Sequence, residues 1–182
     1  MFVEEQHEVV AGIPDDGQHR AAELLAAVVR WALLLAAGLL TGALFGVWLM
    51  EHAFRGDGSF YTQLKQLQIP AFTGPMSALG ASTVILALMY LFLVRSDRLA
   101  AGLTLVGALC FVVGFAITVF GHFPINAQIM GWPVEGPPEQ WSHLAADWRL
   151  AHDLRTLLGV IGFCLLLVSV SLPVARKGSV RR

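Results

Sequence analysis

Polar residues that could carry chemistry lie where the apolar segments of this chain end. His122 follows the third apolar segment, and Trp148, His152 and Arg155 lie at the entry to the fourth. Trp148, His152 and Arg155 are spaced i, i+4 and i+7, so they share one face of a helix. An imidazole can act as a general base, and a guanidinium can stabilise developing negative charge. The pattern therefore predicts a reactive polar site at helix ends.

A metal site is a second interpretation of these residues. Glu51 and His52 end the first apolar segment, and imidazoles with a carboxylate suit zinc, copper or iron. No familiar local motif such as HExxH occurs in the sequence. Two alternatives stay open. One is a metal-free site in which His152 is the general base and molecular oxygen is the co-substrate. The other is a copper or iron ion bound by four side chains, namely His52, His122, His152 and Glu51.

The composition predicts an integral membrane protein. The chain has 182 residues, of which 56% are hydrophobic and 14% are charged, whereas soluble domains have about 25% charged residues. The mean hydropathy is +0.66. The net charge is −1, which argues against a nucleic-acid partner because a basic patch is needed to neutralise phosphates.

Four apolar segments are long enough to cross a bilayer, which takes about 20 helical residues. They cover residues 22–50, 75–94, 99–120 and 154–174. Because only helices and closed barrels span membranes, we predict an all-α, up-down four-helix bundle. A long extracytoplasmic loop is expected between helices 3 and 4. The predicted organisation is a partly disordered cytosolic tail at 1–20, a membrane domain at 21–175 and a basic cytosolic tail at 176–182.

The positions of arginine and lysine predict the orientation. If the helices alternate, one side of the membrane receives eight basic residues, namely Arg20, Arg30, Arg95, Arg98, Arg176, Lys177, Arg181 and Arg182. The other side receives four, namely Arg55, Lys65, Arg149 and Arg155. This bias predicts that both termini are cytoplasmic, in a bacterial-type inner membrane.

The connecting segments suggest further elements. Residues 59–68, in a polar loop at 53–73, could form a short interfacial helix whose apolar face carries Phe60, Leu64 and Leu67. The middle of the long loop, residues 130–147, is predicted to be a lid. The first helix carries two overlapping GxxxG units, which predict close helix packing or a homo-oligomer contact through one face, namely Gly38, Gly42 and Gly46.

A family resemblance rests on the segment from 124 to 156. It contains PIN at 124–126, GW at 131–132, PP at 137–138 and WRLAHDLRT at 148–156. This order resembles the anthrone oxygenase-like family of small four-helix membrane proteins, over most of residues 28–172. Ile125 replaces the leucine that is usual there. The residues that match the family pattern are Asn126, Trp148, His152 and Arg155; His52 and His122 are not part of it.

The resemblance implies an activity. Characterised relatives oxidise anthrones to anthraquinones in polyketide biosynthesis, while many bacterial relatives have no assigned activity. We therefore expect a membrane-embedded monooxygenase or oxidase acting on an apolar, aromatic, anthrone-like substrate. Its site would lie at the outer ends of helices 1, 3 and 4. The alternative is a non-catalytic protein, either an accessory subunit of a membrane complex or a module that binds a lipid or small ligand.

Overall fold

The computed structural model describes residues 16–172, and the regular structure in this range is entirely helical. Its elements are α1 (Asp16–Ala53), α2 (Gly58–Val94), α3 (Arg98–Ile117), a π-helical turn (Thr118–His122), α4 (Phe123–Met130) and α5 (Trp141–Ser171). The π-helical turn joins α3 and α4 into one continuous helix. Four helices are thus long and apolar enough to cross a membrane. The predicted four-helix membrane protein is confirmed.

The predicted terminal tails lie mostly outside the described residues. Residues 1–15 of the N-terminal tail and all of the tail at 176–182 belong to the part not described. α1 begins at Asp16, and residues 16–20 of the predicted tail are therefore helical.

Short connections force consecutive helices to run antiparallel. At one end of the bundle, residues 54–57 join α1 to α2 and residues 131–140 join α4 to α5. We call this the α1–α2 end. Asp57 caps α2 by accepting a hydrogen bond from the Phe60 amide at 2.9 Å. At the opposite end, Asp97 caps α3 by accepting from the Leu99 and Ala100 amides. Such caps satisfy amides that helix starts leave unpaired.

Glycines on α3 and α5 allow the closest helix contact. A Cβ atom added to Gly107 would lie 3.1 Å from the Gly162 carbonyl oxygen, so the two backbones touch. On α1, Gly38 faces Phe163 of the same chain, whereas a Cβ on Gly42 or Gly46 would meet nothing within 4 Å. The glycine stripe of α1 is therefore only partly used within the chain.

The predicted interfacial helix is wrong, because residues 59–68 are the first turns of the long helix α2. Phe60 and Leu67 are 54% and 74% exposed. The buried face carries Tyr61, Lys65 and Gln68, spaced i, i+4 and i+7. In a membrane, apolar side chains face lipid and polar ones turn towards the protein interior. Phe60 and Leu67 thus face outward, as on an interfacial helix, but the polar face is turned into the bundle and not towards water.

The connection between α4 and α5 is shorter than the sequence predicts. Helical structure continues to Met130 and resumes at Trp141, so residues 131–140 are all that is left of the predicted lid. Gln66 of α2 donates hydrogen bonds to the Ile129 and Trp132 carbonyls at 3.2 and 2.9 Å. These bonds satisfy carbonyls where α4 ends. Hydropathy failed here because the first turns of α5 are helical although they carry exposed polar residues, namely Ser142, His143 and Asp147.

Candidate functional site

A buried cluster of polar and aromatic side chains surrounds Trp148 at the α1–α2 end. The indole Nε1 donates to Asn126 Oδ1 at 2.9 Å. The His152 ring stacks on the indole with centroids 5.1 Å apart. The His122 ring meets it edge-on at 4.9 Å. Lys65 Nζ lies 3.0 Å from the ring centroid. Trp148 therefore links residues from α2, α4, α5 and the π-helical turn.

Arg155 and His152 form a hydrogen-bonded unit on α5. Arg155 donates to His152 Nδ1 at 2.9 Å and to Thr118 Oγ1 at 3.0 Å. Guanidinium nitrogens are only donors, so His152 Nδ1 is the acceptor and Nε2 carries the proton. That proton is donated to the Leu44 carbonyl at 3.1 Å. Both nitrogens of His152 are thus engaged, and neither is free to accept a proton from a substrate.

His122 differs because its ring nitrogens are free. The side chain is 2% exposed. The Ile117 carbonyl is close enough to the ring to act on it as a hydrogen-bond acceptor, but among the described residues neither ring nitrogen makes a hydrogen bond of ordinary geometry. Its ring centroid lies 6.0 Å from that of His152. A fully buried imidazole with no well-formed hydrogen bond to the described residues is uncommon and points to a functional role.

The π-helical turn has a local cause. Pro124 lies at the start of α4 and has no amide hydrogen to donate to the carbonyl four residues earlier. A wider turn over Thr118–His122 precedes it, as such turns often do at functional sites. The turn ends at His122, whose ring then points inward.

A cavity of about 90 Å³ adjoins this cluster. On the same measure a water molecule needs about 10–15 Å³, so the cavity has room for an organic molecule. Its wall is mostly apolar, with contributions from all the helices. Its polar members are Gln68, Thr73, Ser77, Thr118, His122, Asn126 and Arg155. His152 is not among the described residues that line it.

Aromatic side chains on the outer surface also line the cavity. Phe72 of α2 is 40% exposed, Phe115 of α3 is 43% exposed and Phe123 of α4 is 38% exposed. Since these helices are apolar enough to cross a membrane, this rim faces the region that lipid occupies. The cavity therefore connects the polar cluster to the side of the bundle.

A buried ion pair lies behind Trp148. Lys65 Nζ donates to Glu51 Oε1 at 2.7 Å, and the two side chains are 0% and 2% exposed. The charge pattern of the sequence predicts Lys65 on the side of the membrane opposite the termini, and no sequence motif assigns it to the site. The spacing of Tyr61, Lys65 and Gln68 on one helical face could have identified it. Ionisable residues at membrane depth usually mark functional interiors.

The four predicted metal ligands are not brought together. Successive helical residues point roughly 100° apart, so Glu51 faces Lys65 while His52 faces the surface. His52 Nδ1 lies 2.9 Å from the Trp48 carbonyl oxygen, and Nε2 lies 3.7 Å from Asp153 Oδ1. Within residues 16–172, no three His, Cys, Asp or Glu side chains converge as metal ligands do. Of the predicted set, only His122 and His152 are neighbours.

The predicted family residues do assemble. Asn126, Trp148 and Arg155 all line the cavity, and His152 holds Arg155 from behind. These features define a class: a four-helix membrane protein with a buried polar site at one end, beside an apolar cavity. The family model described as anthrone oxygenase matches residues 70–165. That is 96 of the 182 residues, and the chain belongs to the anthrone oxygenase family.

The matched range contains part of the site. His122, Asn126, Trp148, His152 and Arg155 lie inside it, whereas the α1 residues and the first turns of α2 precede it. No curated protein is significantly similar to the chain. No solved structure is significantly similar either.

Proposed function

We propose that this protein is a membrane-embedded oxygenase that oxidises an apolar, aromatic, anthrone-like substrate with molecular oxygen. The observation that carries the proposal is the position of His122. Its imidazole, which makes no well-formed hydrogen bond to the described residues, lines an apolar cavity that Arg155 and Asn126 also line. A base and two hydrogen-bond donors thus surround the same space.

His122 is the general base in this proposal. The sequence favoured His152, but both nitrogens of His152 are hydrogen-bonded, and His122 is the imidazole that a substrate can reach. A neutral imidazole removes a proton from the activated methylene carbon of an anthrone. His152 instead orients Arg155.

Arg155 and Asn126 stabilise the charge that follows. Deprotonation moves negative charge onto the substrate's carbonyl oxygen. Arg155 lines the cavity with its Nε free among the described residues. Asn126 uses Oδ1 to accept from Trp148, so its Nδ2 hydrogens are available as donors. Fixed donors in an apolar cavity stabilise an oxyanion far better than water does.

The overall reaction balances without an external reductant. The methylene carbon loses two hydrogens and gains a carbonyl oxygen from O₂. The second oxygen atom leaves as water with both hydrogens. The substrate itself supplies the electrons that reduce O₂. The proton that His122 takes up is returned when water forms, so the base is regenerated.

A copper or iron ion does not fit the donor set. His122 is the sole imidazole with free nitrogens that lines the cavity in the described part of the chain. His152 is fully engaged, and the adjacent Arg155 guanidinium disfavours a second cation. In the proposed reaction His122, Arg155 and Asn126 act without a metal ion, and the metal content of the protein is measured in the test.

The test is oxygen uptake by full-length protein, purified without a His tag and reconstituted in lipid nanodiscs. Anthrone is the substrate, and empty nanodiscs measure its spontaneous oxidation. We expect one O₂ consumed per anthraquinone formed, in preparations with far less than one copper or iron per chain. A rate equal to empty nanodiscs contradicts the proposal. A partner that co-purifies stoichiometrically then favours the accessory subunit, and bound lipid favours the ligand-binding module.

Orientation follows from the same arrangement. Lys65 and Arg155 are part of the site, so Arg55 and Arg149 are the basic residues left at the α1–α2 end of the described bundle. This supports cytoplasmic termini in a bacterial-type inner membrane. The homo-oligomer through Gly38, Gly42 and Gly46 stays a prediction.

A further inference from the structure

Gln68 is a buried amide that no group in the described part of the chain satisfies. It lines the cavity from α2 and is 8% exposed. Neither Oε1 nor Nε2 has a hydrogen-bond partner among the described residues. Gln66, two residues earlier, uses its amide to bind the Ile129 and Trp132 carbonyls. Gln66 thus has a structural role, whereas no hydrogen bond to a described residue gives Gln68 such a role.

The surroundings of Gln68 make this absence informative. Its neighbours along the same wall are Ile69 and Phe72, and Val47 of α1 also lines the cavity. Buried side-chain amides are almost always paired, and leaving one unpaired in an apolar wall is unfavourable. The complement to a carboxamide is a group that can both donate and accept, and a hydroxyl on an aromatic ring is such a group.

We propose that Gln68 is a substrate-binding residue that recognises a ring hydroxyl. It lies on α2, whereas the donors to the developing oxyanion lie on α4 and α5. A substrate that binds Gln68 is thus held at a second point, and this fixes its orientation relative to the base, His122. Naming the occupant as substrate rests on the oxygenase proposed above. The binding step itself does not.

The occupant determines selectivity. An aromatic molecule without the hydroxyl leaves Gln68 unpaired, and sites built to hydrogen-bond a hydroxyl discriminate against analogues that lack it. One such hydrogen bond corresponds to roughly tenfold in affinity. Replacing Gln68 with an apolar residue removes this discrimination, because the amide that an unhydroxylated ligand would leave unpaired is then absent.

The experiment compares two ligands that have no reactive methylene, anthraquinone and 2-hydroxyanthraquinone. Their dissociation constants are measured by quenching of tryptophan fluorescence in full-length protein in nanodiscs, since Trp148 lines the cavity. We expect wild-type protein to prefer the hydroxylated ligand roughly tenfold. Gln68→Met should lose this preference while binding anthraquinone at least as well. Gln63→Met, an exposed glutamine on the same helix, should keep it.

Two outcomes overturn the proposal: equal affinities in wild-type protein, or a preference that persists in Gln68→Met. Either would mean that Gln68 does not recognise a ring hydroxyl. Gln68→Leu repeats the comparison if the methionine variant is unstable. Oxygen uptake with anthrone separates the two proposals. A preference that depends on Gln68 without oxygen uptake supports this proposal and removes the oxygenase. Oxygen uptake without the preference supports the oxygenase and removes the role of Gln68.

Discussion

The ammonium nitrogen of Lys65 lies 3.0 Å from the centre of the Trp148 ring. The same nitrogen donates to Glu51 at 2.7 Å. A cation over an indole face is attracted to it, more strongly when both are shielded from water. Trp148 in turn donates to Asn126, which lines the cavity. The buried ion pair therefore supports the residues that contact a ligand, although neither of its members lines the cavity.

Lys65→Met should lower the free energy of unfolding of the protein. Glu51 would become a buried carboxylate without a counter-charge, and losing one partner of a buried ion pair costs about 3–5 kcal/mol. Lys65→Met combined with Glu51→Leu should recover most of that loss, because no charge is left unpaired. The free energy of unfolding is measured by denaturant titration in mixed micelles.

The control for this cycle is Asp153→Asn. Asp153 lies near His52 in a partly exposed pair, which should contribute little. A double variant that is no more stable than Lys65→Met would contradict the assignment of the cost to the unpaired carboxylate.

His122→Asn should abolish most turnover without unfolding the protein. General base catalysis contributes about 10²–10⁴-fold to rate, so kcat for anthrone oxidation should fall by that factor while KM changes little. His143→Asn, an exposed histidine on α5, is the matched control and should behave as wild type. A wild-type kcat in His122→Asn would contradict the assignment of His122 as the general base.

Regular patterns made part of the site predictable from the sequence. The four helices follow from apolar length, because lipid leaves a helix few alternatives. The i, i+4, i+7 spacing placed Trp148, His152 and Arg155 on one face, and these three do lie together. Local spacing within one helix is therefore readable without tertiary information.

Contacts between helices were not readable in this way. Glu51 and His52 are adjacent in sequence, yet one faces a buried lysine and the other the surface. Lys65 lies within a segment that hydropathy assigns to a loop. The π-helical turn sets the direction of the His122 side chain, and that direction decides whether its ring nitrogens find hydrogen-bond partners. The rotation of each helix about its axis decides which side chains meet. When polar residues are few, sequence periodicity does not determine that rotation.

Arg155→Lys should be nearly as damaging as Arg155→Met. Arginine binds His152 and Thr118 through two separate nitrogens, and lysine has one nitrogen with no planar fork. Loss of an oriented oxyanion donor lowers kcat by about 10²–10³-fold. The measurement is kcat for anthrone in nanodiscs, with Arg98→Lys at the start of α3 as control. A lysine variant with wild-type kcat would mean that charge alone suffices at this position.

Trp148→Phe and Asn126→Ala should have effects that do not add. Phenylalanine keeps an aromatic ring beside Lys65 and His152 but loses the indole N–H that fixes Asn126. Each variant therefore removes the same hydrogen bond, and the double variant should lose little more kcat/KM than either single one. Trp141→Phe is the control, because Trp141 packs against Tyr61 and does not line the cavity. Its effect should add to that of Asn126→Ala. If the Trp148 and Asn126 effects add as well, the indole does not orient the amide, and Asn126 acts alone.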